Sequence, residues 1–377
     1  MSRVLEEAEV PESNRLEGFL HPRANPALLG HEAAEAAFLA AWASGRLPHA
    51  WLIAGSRGIG KATLAYRAAR FVLAEDAGQG GALFGEAAAP TTLAVAADNP
   101  VFRRAAAGGH GGLVTLRREW DFDKKRHFTA IRVGDVRKLA PYFGQTPAEG
   151  RWRVVVVDSI DDMNENAANA LLKILEEPPA HSLFLLVSHQ PGRLLPTIVS
   201  RCRRLALQEL PDATVEALLA ELQPDLGADE RRALAGLGEG SPGRALSLAG
   251  AGGLGLYREL VATFDALSRG REEAAFKLAA RATGKDAETQ FNLLVDLMDG
   301  WFGRMIRAAA SNGTVPDIVP GEAAVAGRFL AVADHGRWLD RWTEDAAFLA
   351  RGDRLSLDRR NAILNILLGI SATLRPA

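Results

Sequence analysis

The 377-residue sequence is poor in the residues that staple small or secreted folds. It has one cysteine, Cys202, which excludes an internal disulfide framework and any four-cysteine zinc site. It has no run of about 18 to 20 apolar residues, so no membrane span is expected. The first twenty residues are acidic and lack the basic-then-apolar order of a signal peptide, and a cytoplasmic location is expected. Charge of one sign is also missing: 44 basic against 46 acidic side chains leave −2, no global footprint of a nucleic-acid binder. Local contact with DNA through one face is still allowed by that balance.

Length and composition are those of an ordinary globular protein of two or three domains. From about residue 20 to 207, short apolar runs alternate with helical periodicity. "WLIA" (51–54), "VVVV" (154–157) and "LFLLV" (183–187) are continuous rather than alternating, as in strands of a parallel sheet covered on both faces. Between them, Leu64, Ala68, Phe71 and Val72 share one helical face, as do Ala168, Leu171, Leu172 and Leu175, and Pro178–Pro179 end the second helix. This pattern predicts a doubly wound α/β domain.

The Gly/Ala-rich stretch 76–112 is expected to be an extended insertion or mobile connection. After Pro211 strand signals stop. Three short helices are expected up to about 252, then longer amphipathic helices ending on Ile363, Ile366, Leu367 and Ile370.

The chemistry begins at "GSRGIGKAT". Gly55, Gly58, Gly60 and Lys61 sit between a strand and a helix, so backbone N–H groups, the helix's positive end and the lysine can converge on phosphate. The next position, where a magnesium-binding Ser or Thr belongs, is Ala62. Thr63 comes one residue late, about 100° further round the helix, and reads as an ordinary first-turn threonine. Asp158 ends the "VVVV" strand as a metal-holding carboxylate does, but the following position is Ser159, which cannot serve as a general base without a partner. Asp161 and Asp162 read as helix-start residues before Asn164. The two defects together predict no useful hydrolysis.

Further motifs make the picture specific. "NAANALLKILEEPP", Ser200-Arg201-Cys202 and "GSPGRAL" (240–246), with the phosphate loop, resemble AAA+ clamp-loader subunits, and among them the delta-prime family of bacterial DNA polymerase III. The likeness is good over about residues 22–250. It implies a RecA-like AAA+ core over 1–207 with a flexible tail of about 20 residues, a three-helix lid over 208–252, and an all-α collar over 253–377. It also implies Arg201 as an arginine finger reaching a neighbour's ATP; the bland alternative is a surface arginine beside Arg203 and Arg204.

Arg244 falls at the lid's nucleotide-sensing position, or is a solvated helix residue. Ser188 falls at the strand-end sensor position, or is a capping serine. Cys202 reads as a small apolar residue. ATP or ADP held without hydrolysis, with magnesium weak or absent, follows from the resemblance. So do the partners: gamma/tau ATPase subunits, the delta subunit, the sliding clamp, and primer-template DNA met through the complex. The zinc module of many relatives is not carried over.

Residues 113–139 interleave basic residues with Trp120, Phe122 and Phe128, but Glu119, Asp121 and Asp123 dilute the charge, and an exposed hairpin is expected rather than a DNA surface. Three rival functions remain on the sequence alone: a hydrolysing gamma/tau-like motor subunit, a P-loop kinase with an appended helical domain, and a purely structural ring component whose Arg201 does nothing.

Overall fold

The computed structural model describes residues 11–78, 90–144, 150–284, 286–355 and 358–375. They form two compact units, 1–214 with 240–243, and 215–239 with 244–377.

The first unit holds helix α1 (Glu32–Ala43), strand β1 (Ala50–Ala54), helices α2 (Lys61–Gly78) and α3 (Pro100–Ala106), and strands β2 (Leu113–Leu116), β3 (Trp120–Asp121) and β4 (Arg126–His127). Helices α4 (Val133–Arg137) and α5 (Leu139–Gly144), strand β5 (Arg153–Asp158), helix α6 (Glu165–Glu176), strand β6 (Ser182–Ser188), helix α7 (Pro196–Val199) and strand β7 (Arg203–Ala206) follow. The main sheet runs β2-β5-β6-β1-β7, and every pairing is parallel. Its central strands are buried throughout, as the continuous apolar runs predict.

Because side chains alternate across a strand, each strand feeds two cores. Trp51, Ile53, Val154, Val156, Leu183 and Leu185 pack under α1 and α2. Ala50, Leu52, Val155, Val157, Phe184 and Leu186 pack under α6 with Leu171 and Leu175. The connection from β1 runs to β2 at one edge and that from β6 to β7 at the other, so the strand order reverses at β1 and β6. A crevice at the carboxyl ends of such strands is where open α/β sheets bind ligands.

Three expectations need correction. Part of the 76–112 stretch is packed rather than extended: Asn99 caps α3 by accepting from the Val101 N–H, and Leu93, Val101, Phe102 and Ala105 are buried. Residues 79–89 of that stretch lie outside the described residues. The tail of about 20 residues is not loose over 11–20, because charged and polar side chains there bond to the sheet's end; residues 1–10 lie outside the described residues. The expected 113–139 hairpin is present as β3 and β4, but it is preceded by an unforeseen edge strand, β2.

The second unit is helical among its described residues. It takes in most of α8 (Asp212–Leu222), then α9 (Ala228–Gly238), α10 (Pro242–Gly250), α11 (Gly253–Ser268), α12 (Glu273–Ala279), α13 (Ala287–Ala310), α14 (Glu322–Val332), α15 (His335–Leu355) and α16 (Arg359–Leu374). Phe264, Trp301, Phe302, Phe329 and Trp338 form its aromatic centre, with ring centroids 4.6 Å apart for Phe264 and Trp301. Ile363, Ile366, Leu367 and Ile370 are buried, as their shared face predicts. A buried polar knot joins three helices: Arg304 donates to Glu239 at 2.7 Å and to the Tyr257 hydroxyl at 2.6 Å, and that hydroxyl donates to Glu322. No helix among the described residues is long and apolar enough to cross a membrane.

Candidate functional site: a phosphate loop with a capped carboxylate

The loop from β1 to α2 has positive φ at Gly55, Gly58 and Gly60. At Gly55 (φ +151°) a Cβ would stand 2.6 Å from the Leu207 carbonyl oxygen, so only glycine lets the loop leave the sheet there. The 240–243 turn closes over the loop: Ser241 donates to the Arg57 carbonyl at 2.8 Å, and the Gly243 N–H to the Gly58 carbonyl at 2.9 Å. His31 Nε2 donates to the Ile59 carbonyl at 2.5 Å. The loop is thereby held in shape by protein groups alone.

Lys61 is buried and its ammonium donates to the Ser56 carbonyl at 2.5 Å. Burial pushes its pKa down to about 8, against the pull of Asp158 and Asp161. Ala62 and Thr63 open α2 behind it, and Thr63 is half-buried. The Ser56 hydroxyl donates to Glu209.

Asp158 is buried at the end of β5, and its pKa is raised mainly by that burial. Its Oδ2 accepts from the Asn14 side-chain amide at 2.7 Å. Asn14 is fixed in turn: the His21 ring lies 3.0 Å from its Oδ1 through Nε2, while His21 Nδ1 accepts from the Arg23 N–H. That second bond puts the His21 proton on Nε2, so the ring donates to Asn14 Oδ1 and the amide's NH2 is the end aimed at Asp158. Glu12 anchors the same segment by pairing with Arg23 and Arg117, both at 2.5 Å. His21 also packs edge-on against Tyr66 at 5.5 Å.

Ser159 is buried, and among the described residues its hydroxyl has no hydrogen-bond partner to activate it as a base. Asp161 and Asp162 lie in the short 3-10 helix Ile160–Asp162 that leads into α6, but Asp161 does not cap α6; Asn164 does, by accepting from the Ala167 N–H. The Asp161 carboxylate instead accepts from the Ser188 hydroxyl at 2.9 Å and from the N–H groups of His189 at 2.6 Å and Gln190 at 3.0 Å. Ser188 therefore bonds to a carboxylate at the strand end rather than capping a helix. His189 stands beside Lys61 and Arg57; burial first, then those cations, hold its pKa at about 4.

Arg201 lies away from this loop, just after α7. Its guanidinium donates to the Thr197 carbonyl at 2.9 Å and meets Glu176 at 2.8 Å, and its side chain is 35% exposed. Cys202 packs against the α6 core, and burial pushes its thiol up to about 12. Arg244 belongs to the second unit, where it pairs with Asp296 at 3.1 Å and Glu239 at 3.5 Å.

The structure thus brings Gly55, Gly58, Gly60, Lys61, Ala62 and Asp158 together, and places Arg201 elsewhere. Sequence reasoning missed Asn14, His21, Glu12, Arg117 and His189. No local signal marks Asn14, since 144 residues separate it from Asp158. Among the described residues no cluster of His, Cys, Asp or Glu could hold a metal ion.

A family model described as DNA polymerase III, delta subunit, matches residues 30–211. The DNA polymerase III subunit delta' of Pseudomonas aeruginosa is 40% identical over 205 residues, which cover 54% of this chain and 56% of that protein. The Escherichia coli subunit delta' is 31% identical over 210 residues, 56% of this chain and 57% of that protein. The Escherichia coli subunit tau is 34% identical over 211 residues, 54% of this chain but 29% of that longer protein. The chain therefore spans little more than half the length of the delta' relatives it matches. Over that matched part, which contains the phosphate-loop and Ser200-Arg201-Cys202 motifs, the chain is similar to DNA polymerase III delta' subunits.

Proposed function

We propose that the chain is a clamp-loader subunit of DNA polymerase III that does not hydrolyse ATP and completes a neighbouring ATPase site with Arg201. One observation carries this reading. The phosphate loop keeps its backbone cradle and Lys61, yet Ala62 offers no hydroxyl to a metal and, among the described residues, the Ser159 hydroxyl has no partner to make it a base. A site of this kind can hold phosphate and lacks the two groups that start hydrolysis. Arg201 suits the outward task, because a permanently charged, planar guanidinium stabilises charge spread over a transferring phosphoryl group.

In this reading the RecA-like AAA+ domain spans 1–207, the lid 208–252 and the collar 253–377. ATP or ADP is held at Gly55, Gly58, Gly60, Lys61, Ala62 and Thr63 without turnover, with Arg244 as the lid arginine. The partners are gamma/tau ATPase subunits, the delta subunit, the sliding clamp and primer-template DNA, in the bacterial cytoplasm.

The test is ATP turnover by a reconstituted loader with clamp and primed DNA, with this chain as wild type and as Arg201→Ala. The chain alone serves as the blank. A silent blank with slowed turnover in the Arg201→Ala ring supports the proposal. Unchanged turnover removes the finger and leaves a scaffold. Turnover in the blank replaces the reading with a gamma/tau-like motor subunit.

A further inference from the structure

A nucleotide loop of this type implies a divalent cation between the phosphates and the carboxylate at the end of β5. The residues present do not fit one. Ala62 supplies no oxygen, and Asp158 Oδ2 already accepts from Asn14 at 2.7 Å. An amide N–H and a cation compete for the same lone pairs, and the amide is a donor that brings no oxygen to a metal. The amide cannot simply turn over, because His21 Nε2 holds its oxygen at 3.0 Å and the Arg23 N–H fixes the proton on that nitrogen.

We infer that residues 11–21 form a built-in plug in which Asn14 takes the cation's place on Asp158, so that any phosphate taken by the Lys61 loop is bound without metal.

Three further observations support it. The plug is anchored on both sides of the site: Glu12 bridges Arg23, at the start of the chain's own core, and Arg117, which follows β2. His21 is buried and packs edge-on against Tyr66 of α2, whose hydroxyl lies 3.0 Å from Thr115. A buried carboxylate without a partner is costly, by several kcal/mol in effective terms, so a site that has lost its cation needs another group to satisfy Asp158. Asn14 is that group, and with the charge of Lys61 it opposes the burial of Asp158 without cancelling it.

The inference rests on the reading of the loop as a degenerate nucleotide site. Its test is made on the isolated full chain and never touches Arg201, so it stands or falls apart from the turnover experiment above. Asn14→Asp sets a second carboxylate against Asp158 and turns the plug into a pair of metal ligands. Mn2+ is the probe. At saturation it should raise the melting midpoint of Asn14→Asp by about 3 °C or more and leave the wild type unmoved. Asp158→Asn added to Asn14→Asp should erase the shift.

A wild-type chain that Mn2+ stabilises as strongly as the variant overturns the proposal. So does a folded Asn14→Asp chain that ignores Mn2+. If Asn14→Asp does not fold, Asn14→Ala replaces it, with bound Mn2+ counted by electron paramagnetic resonance in the presence of ADP. Tighter Mn2+ binding than wild type supports the plug, and equal binding overturns it.

Discussion

The phosphate loop and the Arg201 turn lie in the same sheet domain and are built in opposite ways. Around the loop, most charged and polar groups, Ser159 excepted, are satisfied from within: Lys61 by Ser56, Ser56 by Glu209, Asp158 by Asn14, and Asp161 by Ser188 and two backbone N–H groups. At Arg201 the guanidinium rests on one carbonyl and one half-exposed carboxylate and stays open to solvent. The first region is closed on itself; the second is available to a neighbour. An inward site that has turned to self-satisfaction can lose chemistry without harming an outward group that depends on none of it.

The largest expected effect separates these two ends. If Arg201 completes a neighbour's ATP site as proposed, Arg201→Ala should slow that site by about 10³-fold and leave any phosphate binding by this chain unchanged. Lys61→Ala should do the reverse, abolishing phosphate binding by the chain and sparing turnover in the ring. Equal slowing of the ring by both would show that the ends are coupled.

Gly243→Ala comes next, because a Cβ there would stand 2.8 Å from Gly58 Cα and 2.9 Å from its carbonyl oxygen. Overpacking of this kind costs about 1–3 kcal/mol. It should lower both the stability of the loop, seen in hydrogen exchange at residues 57–60, and its affinity for ADP.

Acid sharpens the comparison further. Burial lowers the His21 pKa from 6.5 to about 4, with Glu12 opposing, so the folded chain resists protonating a ring that the unfolded chain protonates readily. His21's contribution is therefore full above pH 6.5 and lost as pH falls through about 4. Glu12, held near 2 against burial by Arg117 and Arg23, stays ionised through that window. Protection of the amides at 12–21, taken against the intrinsic exchange rate at each pH, should fall between pH 6.5 and 4, and by more than that of the amides around Arg201.

The smallest effect belongs to Glu176→Ala. The pair with Arg201 is largely exposed, and such pairs contribute about 0–1 kcal/mol. Thermal stability should barely move, and a large loss would mean that the Arg201 turn is more tightly built than its exposure indicates.

The legible part of this protein is the part that local chemistry dictates. β1, β5 and β6 are runs of adjacent apolar residues buried on both faces, and the loop announces itself by glycine, lysine and their spacing. β2 and β7 escaped notice because edge strands need no continuous apolar run: β2 is half-buried over most of its length, and in β7 only Leu205 is buried. α3 hid in a Gly/Ala-rich stretch, since its Asn99 cap and three buried residues make a short signal. Ala62 and Ser159 showed what the site had lost. What replaced the loss, Asn14, was invisible because one amide meeting one carboxylate across the fold leaves no pattern in either neighbourhood.

The all-parallel sheet has a consequence in time. Leu52 at the sheet's centre pairs with Leu186 on one side and Arg204 on the other, each more than 130 residues downstream. At roughly 5–20 residues per second of synthesis, Trp51, Leu52 and Ile53 emerge about 7–30 s before either neighbour exists. For that interval the strand that will become the best-covered part of the domain is its most exposed apolar segment, and a nascent chain stopped before residue 182 has nothing on either side to lay against it.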